Sequence, residues 1–225
     1  MHLIYPLVFI IVSIFHVHCC YSERLKSRYI TKLFLMPLLL LWYLDITSSQ
    51  QTDTDAIINK RSSIIINALL FGFQGDALLI IQNKKCFLMG LFSFLMGHFL
   101  YIYAIILRIE IFEPISAFIF PLCLLSAMFV CLYVKIYMKG FKGEMIYCGL
   151  IYGQTLVVLT SLSFYLWFMY RQLGYVMLSA GATFFMLSDG ILAYDKFVKQ
   201  IKHGDAYVMT TYITAQTLIA IGMGI

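Results

Sequence analysis

Two aspartates sit where a carboxylate is costly. Asp76 lies in LLFGFQGDALLII and Asp189 in FFMLSDGILAYDKF, each near the end of a long apolar run, whereas nearly all other acidic residues fall in loops or at helix ends. On insertion scales an ionised carboxylate in hydrocarbon costs about 2.5–3.5 kcal/mol, so acids kept there are functional by default. A neighbouring pair of buried carboxyls titrates as a unit, with one proton shared between two sites. Such a pair offers an acid and a base together, as glycosidases need to cleave an acetal through an oxocarbenium-like state. Hydrolysis of a vinyl ether passes through a related cation, because protonating the β-carbon leaves positive charge on the carbon attached to oxygen. The second carboxylate can stabilise that cation and take a proton from the attacking water. The same two acids could equally relay protons in a transporter.

Other polar residues gather in the same half of the chain's apolar segments. GLFSFLMGHFLYIY places Gly90, Phe94, Gly97 and Tyr101 on one helical face at spacings of four, three and four, with His98 beside them. Small residues at such spacing allow close helix approach. AYVMTTYITAQ contributes Thr211, Tyr212 and Gln216, while Tyr152 and Gln154 open another apolar run. Ser188, Thr210, Thr211 and Gln216 suit helix–helix hydrogen bonding as well as a direct role. Lys196 follows Asp189 by seven residues on the same face, placed either to snorkel or to meet an anionic head group.

These residues need a scaffold, and composition says which. The 225-residue chain is 62% hydrophobic and 12% charged, more apolar surface than a water-soluble domain can hide. Apolar runs near 3–21, 33–47, 62–81, 86–107, 114–134, 145–170, 172–194 and 206–225 predict eight transmembrane helices. Because backbone polar groups in lipid must be satisfied internally, the expected fold class is all-α, a polytopic bundle. No linker divides the chain, so 1–225 reads as one transmembrane domain. The first run lacks a basic start and a small-residue cleavage site, and is expected to be a retained helix. Six scattered cysteines form no Cys-x-x-Cys pair, so neither a disulfide framework nor a metal site is expected. The net charge of +5 comes from residues scattered through short segments, without the basic stripe of a nucleic-acid binder.

Lysine and arginine set the expected orientation. The segments after helices 1, 3, 5 and 7 carry Arg24, Lys26, Arg28, Lys32, Lys84, Lys85, Lys135, Lys139, Lys142, Lys196, Lys199 and Lys202; the opposite segments carry Lys60, Arg61, Arg108 and Arg171. That asymmetry puts the first set in the cytosol and both termini on the other side, with SSQQTDTD as a far-side loop. Counting about 1.5 Å per residue from the expected helix ends, both aspartates lie roughly 7–8 Å below the cytosolic boundary.

Four blocks, GFQGDALL, GLFSFLMGHFLYIYA, GATFFMLSDGILAYDKF and VMTTYITAQTLI, resemble in their order the lysoplasmalogenases, the YhhN-like membrane proteins. The Ser-Asp and Thr-Tyr…Gln blocks look particularly like the animal members. The resemblance implies an eight-helix enzyme of the endoplasmic reticulum or another internal membrane. It would hydrolyse the vinyl ether of a lysoplasmalogen to a fatty aldehyde and glycerophosphoethanolamine or glycerophosphocholine, with no metal or organic cofactor. Asp76 and Asp189 would be the acid–base pair. His98, Tyr101, Ser188, Tyr212 and Gln216 would position water or substrate, and Lys196 and Lys32 would meet the phosphate of the lysophospholipid. The chain departs from the family pattern in the wide Lys32–Pro37 spacing, in Leu159 and Thr160 where a methionine is usual, and in Ile213 where a second tyrosine is common. A proton-coupled transporter or lipid sensor using the same acids is the alternative.

Overall fold

The structure is a computed structural model that describes residues 3–48, 56–109, 115–137, 140, 143 and 145–225, with the side chains of 56–60 and 115–120 excluded. Most of the expected SSQQTDTD loop, Lys139 and Lys142, and the side chain of Lys60 lie outside the described residues. Eight α-helices are present among the described residues: α1 (Ile4–Tyr21), α2 (Leu25–Ser48), α3 (Ala56–Ile80), α4 (Lys84–Ile106), α5 (Ile115–Ile136), α6 (Met145–Tyr170), α7 (Leu173–Phe197) and α8 (Gly204–Gly224). Among the described residues, six regions are long and apolar enough to cross a membrane: α1, α2, Arg61–Ile80 of α3, α4, α6 and α7.

The largest difference from the expected boundaries is α2, which starts eight residues before the expected position 33. Arg28 and Lys32 therefore stand on the first turns of a helix rather than in a loop. The reason is physical: an apolar run marks the hydrocarbon, but the helix hydrogen bonds continue into the head-group layer, where long basic side chains are at home. Lys84, Lys135 and Lys196 likewise sit inside the ends of α4, α5 and α7. At the opposite end, Arg61 donates to the Leu107 carbonyl at 2.6 Å and Arg108 to the Met223 carbonyl at 2.7 Å. These arginines satisfy carbonyls that helix ends leave without partners.

α8 is the centre of the packing. It lies against α7, α1, α2 and α3, while α2, α3, α4, α6 and α7 follow one another around it and α5 packs on α6. Between helices in lipid there is little hydrophobic driving force, so close van der Waals fit and interhelical hydrogen bonds carry association. The α7–α8 seam shows how: a Cβ on Gly181 would meet the Ala215 carbonyl at 2.9 Å, and one on Gly222 would meet the Gly174 carbonyl at 2.5 Å. Only hydrogen fits there. The turn between the two helices is closed by Asp195, whose Oδ1 accepts from the Ile201 amide at 2.5 Å.

Candidate active site

Asp76 and Asp189 line one cavity of about 530 Å³, within the roughly 300–1,000 Å³ usual for small-ligand sites. Its other walls are mostly apolar, with Leu79, Leu91, Phe94, Phe129, Leu156 and Met186 among them. The cavity opens among the C-terminal ends of α3, α5 and α7 and the N-terminal ends of α4, α6 and α8. Asp76 stands four residues before Ile80, the end of α3, and Asp189 eight before Phe197, the end of α7. The equal distance from helix ends expected from the sequence is not observed, because α7 continues three residues past its expected end.

Each carboxyl is held by a tyrosine hydroxyl from a different helix. Tyr212 of α8 donates to Asp76 Oδ2 at 2.8 Å, and Tyr152 of α6 donates to Asp189 Oδ2 at 2.6 Å. The two differ in charge compensation. Lys32 of α2 brings its ammonium to 3.2 Å from Asp76 Oδ1, in a pair whose side chains are 15% and 2% exposed. Among the described residues no Lys or Arg reaches Asp189 in this way; its charged or chargeable neighbour is His98, with Nε2 at 4.0 Å from Oδ2.

Behind these carboxyls lies an outer layer. Tyr101 donates to Gln216 Oε1 at 2.8 Å, and the Gln216 amide in turn lies against the Tyr212 hydroxyl. His98 Nε2 is 3.0 Å from the Tyr152 hydroxyl, and its ring meets the Phe185 ring edge to face at 4.5 Å. Thus Tyr212, Ser188 and Lys32 line the cavity with the two acids, whereas His98, Tyr101 and Gln216 stand behind it. The Ser188 hydroxyl donates to the Val208 carbonyl at 3.0 Å, so it ties α7 to α8. Lys196 is at the rim, its ammonium 4.2 Å from the centre of the cavity-lining Phe87 ring.

Sequence reasoning did not give Tyr152 a role in the site. It was legible only as a polar residue entering its helix from the right side, and nothing local says that it faces Asp189. Its neighbour Gln154 points elsewhere, donating to the Ser126 carbonyl at 3.3 Å. The pairing of Lys32 with Asp76 was equally invisible, since the expected role of that lysine was at a phosphate. The close approach of α4 to α3 does follow the pattern read from spacing: a Cβ on Gly90 would approach the Gly75 carbonyl at 3.3 Å, and one on Gly97 the Ala68 carbonyl at 3.2 Å.

The model of the YhhN family matches residues 27–223. The human lysoplasmalogenase TMEM86B is 29% identical over 160 residues, covering 71% of this chain and 63% of that protein. The human lysoplasmalogenase TMEM86A is 29% identical over 174 residues (73% of this chain, 67% of that protein), and the Bos taurus TMEM86A is 27% identical over 175 residues with the same coverage. The chain thus spans less than two thirds of the length of human TMEM86B. No solved structure matches.

Proposed function

The chain belongs to the YhhN family, and on that premise we propose that it is a lysoplasmalogenase, a multi-pass membrane hydrolase that cleaves the vinyl ether of lysophospholipids. The observation that carries the reading is the pair of carboxyls on the wall of one apolar cavity, each held by a tyrosine and, among the described residues, only one of them paired with an ammonium. An apolar cavity suits the alkenyl chain, and the rim with Lys196 suits the phosphate. The similar animal proteins named lysoplasmalogenases support the same substrate class.

The unequal compensation supports a division of roles. Asp76, beside Lys32, carries the negative charge; Asp189, with no ammonium beside it among the described residues, carries the proton, because an uncompensated buried charge is the more expensive state. Asp189 gives its proton to the β-carbon of the enol ether, whose π pair forms the new C–H bond. The ether oxygen then shares the positive charge left on the adjacent carbon. Water attacks that carbon while Asp76 takes one of its protons, yielding a hemiacetal. In the collapse the hemiacetal O–H proton passes to Asp189, and Asp76 returns its proton to the departing glycerol oxygen as the C–O bond breaks. The products are a fatty aldehyde and the glycerophospho-alcohol, and both carboxyls end as they began.

In this reading all eight helices, α5 and α8 included, belong to one transmembrane domain over 1–225. The basic helix ends and the mouth of the cavity face the cytosol, both termini face away from it, and the host membrane is the endoplasmic reticulum or another internal membrane. Purified protein incubated with lysoplasmalogen should release free aldehyde. Release should disappear in Asp76→Asn and Asp189→Asn while both variants remain folded. Proton-coupled uptake by sealed vesicles without aldehyde would refute the enzyme and favour transport.

A further inference from the structure

Tyr152 has one hydroxyl hydrogen and two neighbours. Where Tyr152 donates to Asp189 Oδ2 at 2.6 Å, its contact of 3.0 Å with His98 Nε2 is one in which it accepts. In that arrangement His98 carries its hydrogen on Nε2, and Nδ1 is bare. That bare atom is itself notable: it is buried and has no hydrogen-bond partner among the described residues. A buried acceptor left without a partner costs about 1–3 kcal/mol. A leucine or phenylalanine in the same apolar surroundings, against the Phe185 ring, would avoid that cost. A ring nitrogen is retained there although half its hydrogen-bonding capacity is unmet.

We propose that His98 and Tyr152 are a positioning pair that fixes which oxygen of Asp189 delivers the proton. The inference rests on the lysoplasmalogenase reading for its chemistry and adds two residues, neither of which transfers a proton. His98 Nε2–H occupies a lone pair of the Tyr152 oxygen, which turns the tyrosine hydrogen toward Asp189 Oδ2. Oδ2, already accepting, is left as the carbonyl-like oxygen, and Oδ1 is the oxygen that bears the acid hydrogen. A carboxylic acid without this clamp divides its hydrogen between both oxygens and several rotamers. The clamp thus acts on orientation, the quantity to which a proton transfer to carbon is most sensitive.

The test combines kinetics with a spectrum. Tyr152→Phe keeps the ring, and His98→Gln keeps an N–H donor of similar reach where His98→Leu removes it. With lysoplasmalogen, Tyr152→Phe should lower kcat about 100-fold, the size of loss a misplaced catalytic group produces, with KM within about twofold. His98→Gln should retain most of kcat, and His98→Leu should fall to the level of Tyr152→Phe. A purely structural role predicts instead that Leu is tolerated at least as well as Gln. Nitrogen-15 spectra of histidine-labelled protein, assigned against His98→Gln, should show an Nε2–H tautomer for His98 that Tyr152→Phe redistributes. An Nδ1–H tautomer in the unsubstituted protein, or unchanged kcat in Tyr152→Phe, overturns the proposal. If the unsubstituted protein releases no aldehyde, the enzyme reading fails, and the tautomer alone decides whether the clamp on Asp189 exists.

Discussion

Removing one partner of the Lys32–Asp76 pair should cost more than removing both. The two side chains are 15% and 2% exposed and their charged atoms are 3.2 Å apart, so this is a buried ion pair rather than a screened surface one. Lys32→Met leaves a carboxylate without its cation, and Asp76→Asn leaves an ammonium without its anion. Breaking a buried pair from either side costs about 3–5 kcal/mol, while replacing both members by neutral groups is often close to neutral. With about 2–4 °C in Tm per kcal/mol for a chain of this size, each single substitution should lower Tm in detergent by about 6–20 °C. The double substitution should recover most of that loss, giving a coupling of several kcal/mol. Activity should not follow stability: Asp76→Asn and the double variant should both release no aldehyde, since the base is absent from each. Additive losses of Tm would refute the ion pair. Recovery of aldehyde release in the double variant would refute the role of Asp76.

Three further outcomes follow from the same geometry. Gly222→Ala should separate α7 from α8, because its Cβ would stand 2.5 Å from the Gly174 carbonyl; the expected loss is about 1–3 kcal/mol, measured by thermal unfolding, and an unchanged Tm would refute the seam. Ser188→Ala should lose one interhelical hydrogen bond, the 3.0 Å contact with the Val208 carbonyl, at about 1 kcal/mol, with kcat reduced and KM little changed. A raised KM at unchanged stability would instead make Ser188 a substrate contact. A tag inserted at Gly140, between α5 and α6, should be accessible from the cytosol and one at Ile225 should not; the reverse labelling would overturn the orientation.

How much of this was legible depended on whether the signal was local. The eight helices follow from apolar runs, and α6 begins and ends at the positions the pattern gives. The starts of α2 and α7's end are displaced because basic and polar residues can extend a helix beyond the hydrocarbon without any change in apolar content. Asp76, Asp189 and His98 stand out because such residues are rare in apolar runs. Tyr152 does not, as one of 16 tyrosines in the chain, and a tyrosine's apolar ring hides its hydroxyl from any hydropathy pattern. The links that matter join residues 37, 44 and 136 positions apart, namely Tyr152–Asp189, Lys32–Asp76 and Asp76–Tyr212. Such separations are fixed by which helices neighbour one another, and periodicity along one helix carries no information about its neighbour.

The arrangement of the helices explains why the two acids can hold different roles. Asp76 is gripped by α2 through Lys32 and by α8 through Tyr212, so it belongs to the α2–α3–α8 side of the bundle. Asp189 is gripped by α6 through Tyr152, on the other side of the cavity. Lys32 and the Tyr152–His98 contact therefore come from separate helices. What sets the spacing of the acids is the contact between the two sides, the α7–α8 seam, where Gly181 admits the Ala215 carbonyl and Ser188, next to Asp189, bonds the Val208 carbonyl one turn before Tyr212. In the proposed reaction, packing at this seam would govern the distance across which the two carboxyls face one small molecule.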